Sequence, residues 1–80
     1  MREKSTFDKL LGELNDLTEW EDAAAAREEL LARRPEMERM FLDSKILPGE
    51  LQALVMLSNC LEREFLHRAL ENGQEVRLNH

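Results

Sequence analysis

The sequence predicts an all-α fold, with a short N-terminal helix followed by a long antiparallel helical hairpin that is kinked or broken near Pro35. Apolar residues recur at helical spacing in three segments, and the chain has only three Gly and two Pro and lacks β-branched runs. The segment Leu47–Gly73 carries both a helix start and a helix stop signal. These observations predict one domain over residues 1–80, with helices at about 6–16, 19–42 and 48–72 and a tail at 74–80.

The first predicted helix begins at Ser5 or Thr6, either of which can cap it. Asp8 lies three residues after Ser5, so this start approximates a capping box. Its apolar residues fall on one face, and they are Phe7, Leu10, Leu11, Leu14 and Leu17. A short helix with one apolar face is stable only when that face packs on another element.

The second predicted helix begins at about residue 19, because Thr18-Glu-Trp-Glu21 has the pattern of a capping box. Its expected buried side consists of Trp20, Ala23, Ala24, Leu30 and Leu31. Pro35 either kinks this helix or begins a new one, since proline removes a backbone hydrogen bond and clashes with the preceding turn. The apolar phase continues through Met37, Met40 and Phe41, which favours a kinked continuation to about Leu42.

The third predicted helix begins at Pro48, whose missing N–H would be unpaired there in any case. Asn72-Gly73 ends it, because glycine adopts the left-handed conformation at little steric cost. Its main apolar stripe comprises Leu51, Leu54, Val55, Leu61, Phe65 and Ala69, with Ser58 in line. Met56, Leu57 and Cys60 lie off that stripe, so the first half of this helix needs a third helix or a second subunit to cover it.

Three charged residues lie on or beside the predicted apolar stripes of the hairpin. Arg27 and Arg34 belong to the second helix, and Glu62 belongs to the third. In an antiparallel hairpin these side chains can meet and set the register of the helices. Alternatively, the arginine stems cover apolar surface while their charges reach water. The sequence leaves both alternatives open.

The composition excludes several classes of function. A formal net charge of −6 argues against binding to nucleic acid or to anionic membranes. No segment is long and apolar enough for a membrane span, and no signal peptide is recognisable, so we expect a cytoplasmic protein.

Few residues are of a type that supports catalysis or metal binding, and their pattern does not predict an enzyme. The single Cys60 is expected to be buried among apolar residues and inert. His67 has Glu64 and Glu71 one turn away but lacks a second ligand pair at a recognised metal spacing, and His80 is terminal. We therefore expect no catalytic residues, no cofactor and no metal site. In the tail, Val76 and Leu78 alternate with polar residues as in a strand, although a frayed terminus is the commoner outcome.

Two segments resemble known families. Ser58-Asn-Cys-Leu-Glu62 resembles the hallmark stretch of the small helical-hairpin phosphatases that dephosphorylate sporulation response regulators, with Glu62 in place of the expected aspartate. That resemblance implies an exposed Glu62 acting on a phosphoryl group.

The second segment, Arg68–Leu78, is similar to the helix end and first strand of the HU-like histone family, which would imply a nucleoid or DNA-associated fragment. In general architecture the chain also looks like the small acidic co-chaperones of secretion systems.

We therefore expect a non-catalytic helical interaction module, working as an adaptor, regulator or co-chaperone. It would bury an apolar helix face in a helical-bundle homodimer or on a partner protein, with an acidic rim that provides specificity. The candidate interface residues are Leu51, Leu54, Val55, Met56, Leu57, Leu61, Phe65, Met37, Met40 and Phe41.

Overall fold

The computed structural model describes residues 5–76, and that part of the chain contains three helices and no strand. The helices are α1 (Thr6–Leu17), α2 (Ala23–Leu42) and α3 (Pro48–Glu71). The predicted all-α fold with a long hairpin is therefore confirmed. Residues 74–76 have no regular secondary structure, and the rest of the predicted strand-like alternation, together with His80, lies outside the described residues.

Helix α1 begins with the predicted cap, because Ser5 Oγ accepts a hydrogen bond from the backbone N–H of Asp8 at 3.1 Å. The helix ends at Leu17, one residue later than predicted. Thr18 follows as its C-cap, and the Thr18 hydroxyl donates to the carbonyl of Asn15 at 2.7 Å. Thr18 therefore belongs to the end of α1 and does not begin α2.

Helix α2 begins at Ala23, four residues later than the predicted start at 19. Asp22 is its cap, since Oδ1 of Asp22 accepts from the backbone N–H of Ala25 at 3.0 Å. Trp20 consequently lies in the connection between α1 and α2 and is exposed, so its predicted place on the buried side of α2 is wrong.

Pro35 lies inside α2, and the helix continues through it to Leu42. The expected continuation is confirmed, and the alternative of a break with a new helix at Pro35 is wrong. After Leu42 the chain turns at Ser44, which has a positive φ of 59°. Residues 43–47 join α2 to α3, and we call this end of the hairpin the turn end.

Helix α3 has the predicted start and stop. Pro48 is its first residue, and Glu50 Oε1 accepts from the backbone N–H of Leu47 at 2.8 Å. At the other end Gly73 takes a φ of 72°. The segment after α3 meets the connection between α1 and α2, and we call this the open end of the hairpin.

The core lies where α1 covers the hairpin of α2 and α3. All three helices and the turn contribute buried apolar side chains, which are Leu10, Leu14, Leu17, Ala26, Leu30, Met37, Ile46, Leu54, Leu61 and Phe65. Ala23 and Ala69 are fully buried as well, as expected for a close approach between α2 and α3. On the surface, Arg33 joins α1 to α2 through Glu13 at 2.6 Å and also pairs with Glu29 at 3.2 Å.

Candidate functional site

The middle of the hairpin is polar, because two arginines of α2 bind one glutamate of α3. Arg27 Nη2 lies 3.1 Å from Glu62 Oε2, and Arg34 Nη2 lies 2.9 Å from Glu62 Oε1. Each carboxylate oxygen therefore faces a different guanidinium. Arg27 is only 5% exposed, and this pairing offsets part of the cost of burying its charge.

Two further polar side chains of α3, Ser58 and Asn59, join this cluster. We call the five residues Arg27, Arg34, Ser58, Asn59 and Glu62 the polar seam. Arg34 Nε donates to Ser58 Oγ at 3.1 Å, and Arg34 Nη2 donates to Asn59 Oδ1 at 2.8 Å. Ser58 is fully buried, so its hydroxyl would lack a partner if α3 slid along α2 by one turn. The seam thus fixes the register of the hairpin, and the alternative in which Arg27, Arg34 and Glu62 meet is confirmed.

The polar seam does not offer Glu62 as a free group. Both oxygens of Glu62 accept charge-assisted hydrogen bonds from the arginines, and the neighbouring Ser58 is buried. The resemblance to the helical-hairpin phosphatases implies a carboxylate aimed outward at a phosphoryl group. The observed contacts point inward, toward α2.

The predicted interface residues fall into three groups. Four are buried in the chain's own core, namely Leu54, Leu61, Phe65 and Met37. Four are half-buried against that core, namely Leu51, Leu57, Met40 and Phe41. Only Val55 and Met56 are exposed. The ten residues therefore do not form one surface, and those in the core are not accessible to a partner.

Two exposed leucines that the sequence interpretation missed lie at the turn end of the hairpin. Leu42 is the last residue of α2 and Leu47 is the cap of α3, and both are exposed. Their positions at helix ends gave them no place in a periodic apolar stripe. A signal was nevertheless present, because Leu42 and Leu47 flank only four residues, 43–46, between the two predicted helices. We call Leu42, Leu47, Val55 and Met56 together the turn-end surface.

Cys60 is exposed, and the prediction that it is buried is wrong. It lies on the outer face of α3, where neither α1 nor α2 covers the helix. With Arg63, Glu64, His67, Arg68 and Glu71 it lines a shallow depression of about 470 Å³. Among the described residues no three His, Cys, Asp or Glu side chains converge in a way that would hold a metal ion.

At the open end, one side chain of α3 and one from the segment after it donate hydrogen bonds to the connection between α1 and α2. Arg68 donates to the backbone carbonyls of Thr18 at 3.5 Å and Trp20 at 3.2 Å. Gln74 Nε2 donates to Asp22 Oδ1 at 2.7 Å. The Ala25 N–H bond, followed by the Gln74 bond, lowers the pKa of Asp22 below its ordinary value of 3.8, because both bonds favour the carboxylate.

A groove of about 430 Å³ lies beside these contacts, between the first turns of α2 and the end of α3. Its walls are Ala24, Arg27, Glu28, Leu70, Gln74, Glu75 and Val76, and we call it the open-end groove. No described helix combines the length and the hydropathy that crossing a bilayer requires.

Comparisons with known proteins give no match, whether to a family model, to a curated protein or to a solved structure. Function must therefore be argued from the chain's own surfaces.

Proposed function

We propose that this protein is a non-catalytic helical interaction module, acting as an adaptor, regulator or co-chaperone. Its docking site would be the turn-end surface, buried on a second copy of the chain or on a partner protein. The cytoplasm is the proposed compartment, because a chain with one cysteine does not build the internal disulfide framework that is common in small secreted domains.

One observation carries the proposal, namely the exposure of four large apolar side chains in the part of the hairpin nearest the turn. The exposed fractions are 78% for Leu42, 67% for Leu47, 61% for Met56 and 40% for Val55. Single apolar residues are common on protein surfaces, but several at one end of a small domain are typical of a docking site. Half-buried Leu51 lies one helical turn before Val55 and extends this surface toward the core.

The mechanism of docking follows from the chemistry of these side chains. Apolar anchors provide most of the binding energy when a partner excludes water from them, and the surrounding polar residues set specificity. Met56 suits such a surface because its unbranched, polarisable side chain adapts to different partners. The polar seam would keep the two long helices in register while the surface is engaged.

The test uses one double variant, in which two exposed apolar residues become serine, and one control variant. Val55→Ser combined with Met56→Ser removes the centre of the turn-end surface. Trp20→Ser changes an exposed apolar residue outside this surface, in the connection between α1 and α2. Light scattering over a dilution series measures self-association, and binding of a hydrophobic dye measures apolar surface left open in a monomer.

We expect either a wild-type dimer that the double variant dissociates, or a wild-type monomer whose dye binding the double variant lowers markedly. Trp20→Ser should change neither quantity. A wild-type monomer that binds no dye would contradict the proposal, as would a double variant that behaves as the wild type in both measurements. Nothing in the described residues favours the phosphatase or the DNA-associated alternative over this one.

A further inference from the structure

The open-end groove adjoins the most acidic part of the molecule. Residues 16–29 contain six Asp or Glu and one Arg, and residues 66–76 contain two Glu and one Arg, so the two segments together carry eight carboxylates and two guanidiniums. The resulting −6 equals the formal net charge of the whole chain, and the remaining residues sum to zero. The Arg68 and Gln74 contacts bring these two segments together at one end.

The groove itself has apolar and acidic walls. Ala24, Leu70 and Val76 provide apolar surface, with Leu70 59% exposed, while Glu28 and Glu75 line it with exposed carboxylates. The charge of Arg27 is compensated by Glu62. The groove volume of about 430 Å³ lies within the roughly 300–1,000 Å³ range of ligand sites.

Gln74 gives the groove wall a defined polar group. Its Nε2 must face Asp22, since a carboxylate only accepts hydrogen bonds, and this fixes the orientation of the amide. Its Oε1 is buried and accepts no hydrogen bond from the described residues. A donor from a bound segment would satisfy this oxygen.

We propose that the open-end groove binds a positively charged segment of a partner protein, with one large apolar side chain between Ala24 and Leu70 and flanking Lys or Arg residues against Glu28 and Glu75. Charge complementarity decides the occupant. A second copy would bring two acidic ends together, and nucleic acid or an anionic membrane would likewise be repelled. This site is separate from the turn-end surface of the proposed function.

The experiment uses the full chain and three labelled synthetic peptides, with fluorescence anisotropy as the readout. The basic probe is a short helix-forming peptide with leucines one turn apart and lysines on both flanks. The second probe replaces the lysines with glutamates, and the third replaces the leucines with serines. We expect only the basic, leucine-containing peptide to bind tightly, and its Kd should rise about ten-fold between low and moderate salt.

Matched variants distinguish the groove from general electrostatic attraction. Glu28→Lys lies in the groove wall, whereas Glu38→Lys changes net charge equally on the same helix, away from the groove. We expect Glu28→Lys to raise the Kd about ten-fold and Glu38→Lys less than two-fold. Leu70→Ser, at an exposed site that should not affect folding, should raise it about five-fold.

Several outcomes would overturn the proposal. Equal effects of Glu28→Lys and Glu38→Lys on the Kd would mean that the attraction is non-specific. If the serine peptide bound as tightly as the leucine peptide, no apolar anchor would contribute to binding. Loss of self-association in Leu70→Ser would assign the groove to a second copy. Ten-fold tighter peptide binding after Arg77→Ser and Leu78→Ser would assign it to the chain's own last residues.

A control keeps this proposal distinguishable from the proposed function. The variant with Val55→Ser and Met56→Ser should bind the basic peptide as the wild type does, because neither residue lines the groove. Peptide binding that is lost in that variant would mean that the turn-end surface is the site of the peptide, which would refute the groove assignment.

Discussion

At the scale of single residues, Glu62 is the side chain on which the hairpin's polar seam depends. Replacing Glu62 with Ala removes one ion pair from the buried guanidinium of Arg27 and one from Arg34. Because breaking a partly buried ion pair costs more than a surface pair is worth, we expect a loss of about 2–3 kcal/mol in the free energy of unfolding. Urea unfolding measures this loss.

The control for Glu62 lies on the same helix. Glu64→Ala makes the same charge change at an exposed position and should alter the free energy of unfolding by less than about 0.5 kcal/mol. If Glu62→Ala lowers the free energy of unfolding no more than Glu64→Ala does, the polar seam does not stabilise the hairpin.

Asp22 is the residue for which the structure predicts a pH dependence. Its pKa is lowered in the folded state, first by the Ala25 N–H and then by Gln74. Folding therefore favours the carboxylate, so this contribution to stability is present above the ordinary pKa of 3.8 and is lost as the pH falls through the lower, folded value. We expect the acid branch of the stability curve below that pH to include this loss.

Asp22→Asn tests this assignment, because asparagine still caps a helix but does not titrate. Between neutral and strongly acidic pH, the free energy of unfolding should fall less steeply in Asp22→Asn than in the wild type. Gln74→Ala removes the second cause of the lowered pKa of Asp22, so its pH dependence should be intermediate between those of the wild type and Asp22→Asn. Identical acid branches in all three proteins would show that Asp22 does not contribute to the pH dependence.

At the scale of elements, the two long helices end in the same way but with different residues. After α2, Lys45 N donates to Met40 O at 2.8 Å, and after α3, Gln74 N donates to Ala69 O at 2.8 Å. This is the Schellman pattern, in which the residue after the cap takes a left-handed conformation. Gly73 adopts it without steric cost, whereas Ser44, with a φ of 59°, carries a Cβ there.

Ser44→Gly should therefore stabilise the protein, by about 0.5–1 kcal/mol after allowing for the greater freedom of glycine in the unfolded chain. Gly73→Ala should destabilise it by about 1 kcal/mol. Ser5→Gly, at the cap of α1, should cost only a few tenths of a kcal/mol, and the three values can be compared by urea unfolding. A destabilising Ser44→Gly would contradict this account of the turn.

Local signals in the sequence were sufficient for most helix ends. The starts at Ser5 and Pro48 and the stop at Gly73 follow from caps that act within one turn of the chain. The start of α2 was missed because Thr18 and Asp22 both fit a cap, and only the folded chain has the Thr18 hydroxyl bonded to Asn15. The position of Pro35 inside α2 followed from the unbroken apolar phase.

The surface was harder to predict than the helices. Periodicity identified the face of α3 that the other helices cover, because Leu54, Leu61 and Phe65 of the predicted main stripe are buried. It did not give the burial of every apolar residue, since Val55, on that stripe, and Cys60, expected to be buried, are both exposed. The contact between Arg27, Arg34 and Glu62 was one of two alternatives, and the choice required the observed register.

At the scale of the whole molecule, charge is distributed unevenly, since the open end carries the equivalent of the full net charge of −6. Repulsion among exposed carboxylates opposes folding and is screened by salt, whereas the partly buried polar seam is screened much less. We therefore expect the free energy of unfolding to rise by roughly 0.5–1 kcal/mol between about 10 mM and about 300 mM NaCl.

Charge-reversal variants locate the source of this salt dependence. Glu21→Lys, at the exposed open end, should raise stability at low salt and flatten the salt dependence. Glu38→Lys changes the net charge equally outside the open end and should affect the salt dependence less. A stability that falls with added salt would mean that partly exposed ion pairs such as Arg33–Glu13 outweigh the repulsion among the open-end carboxylates.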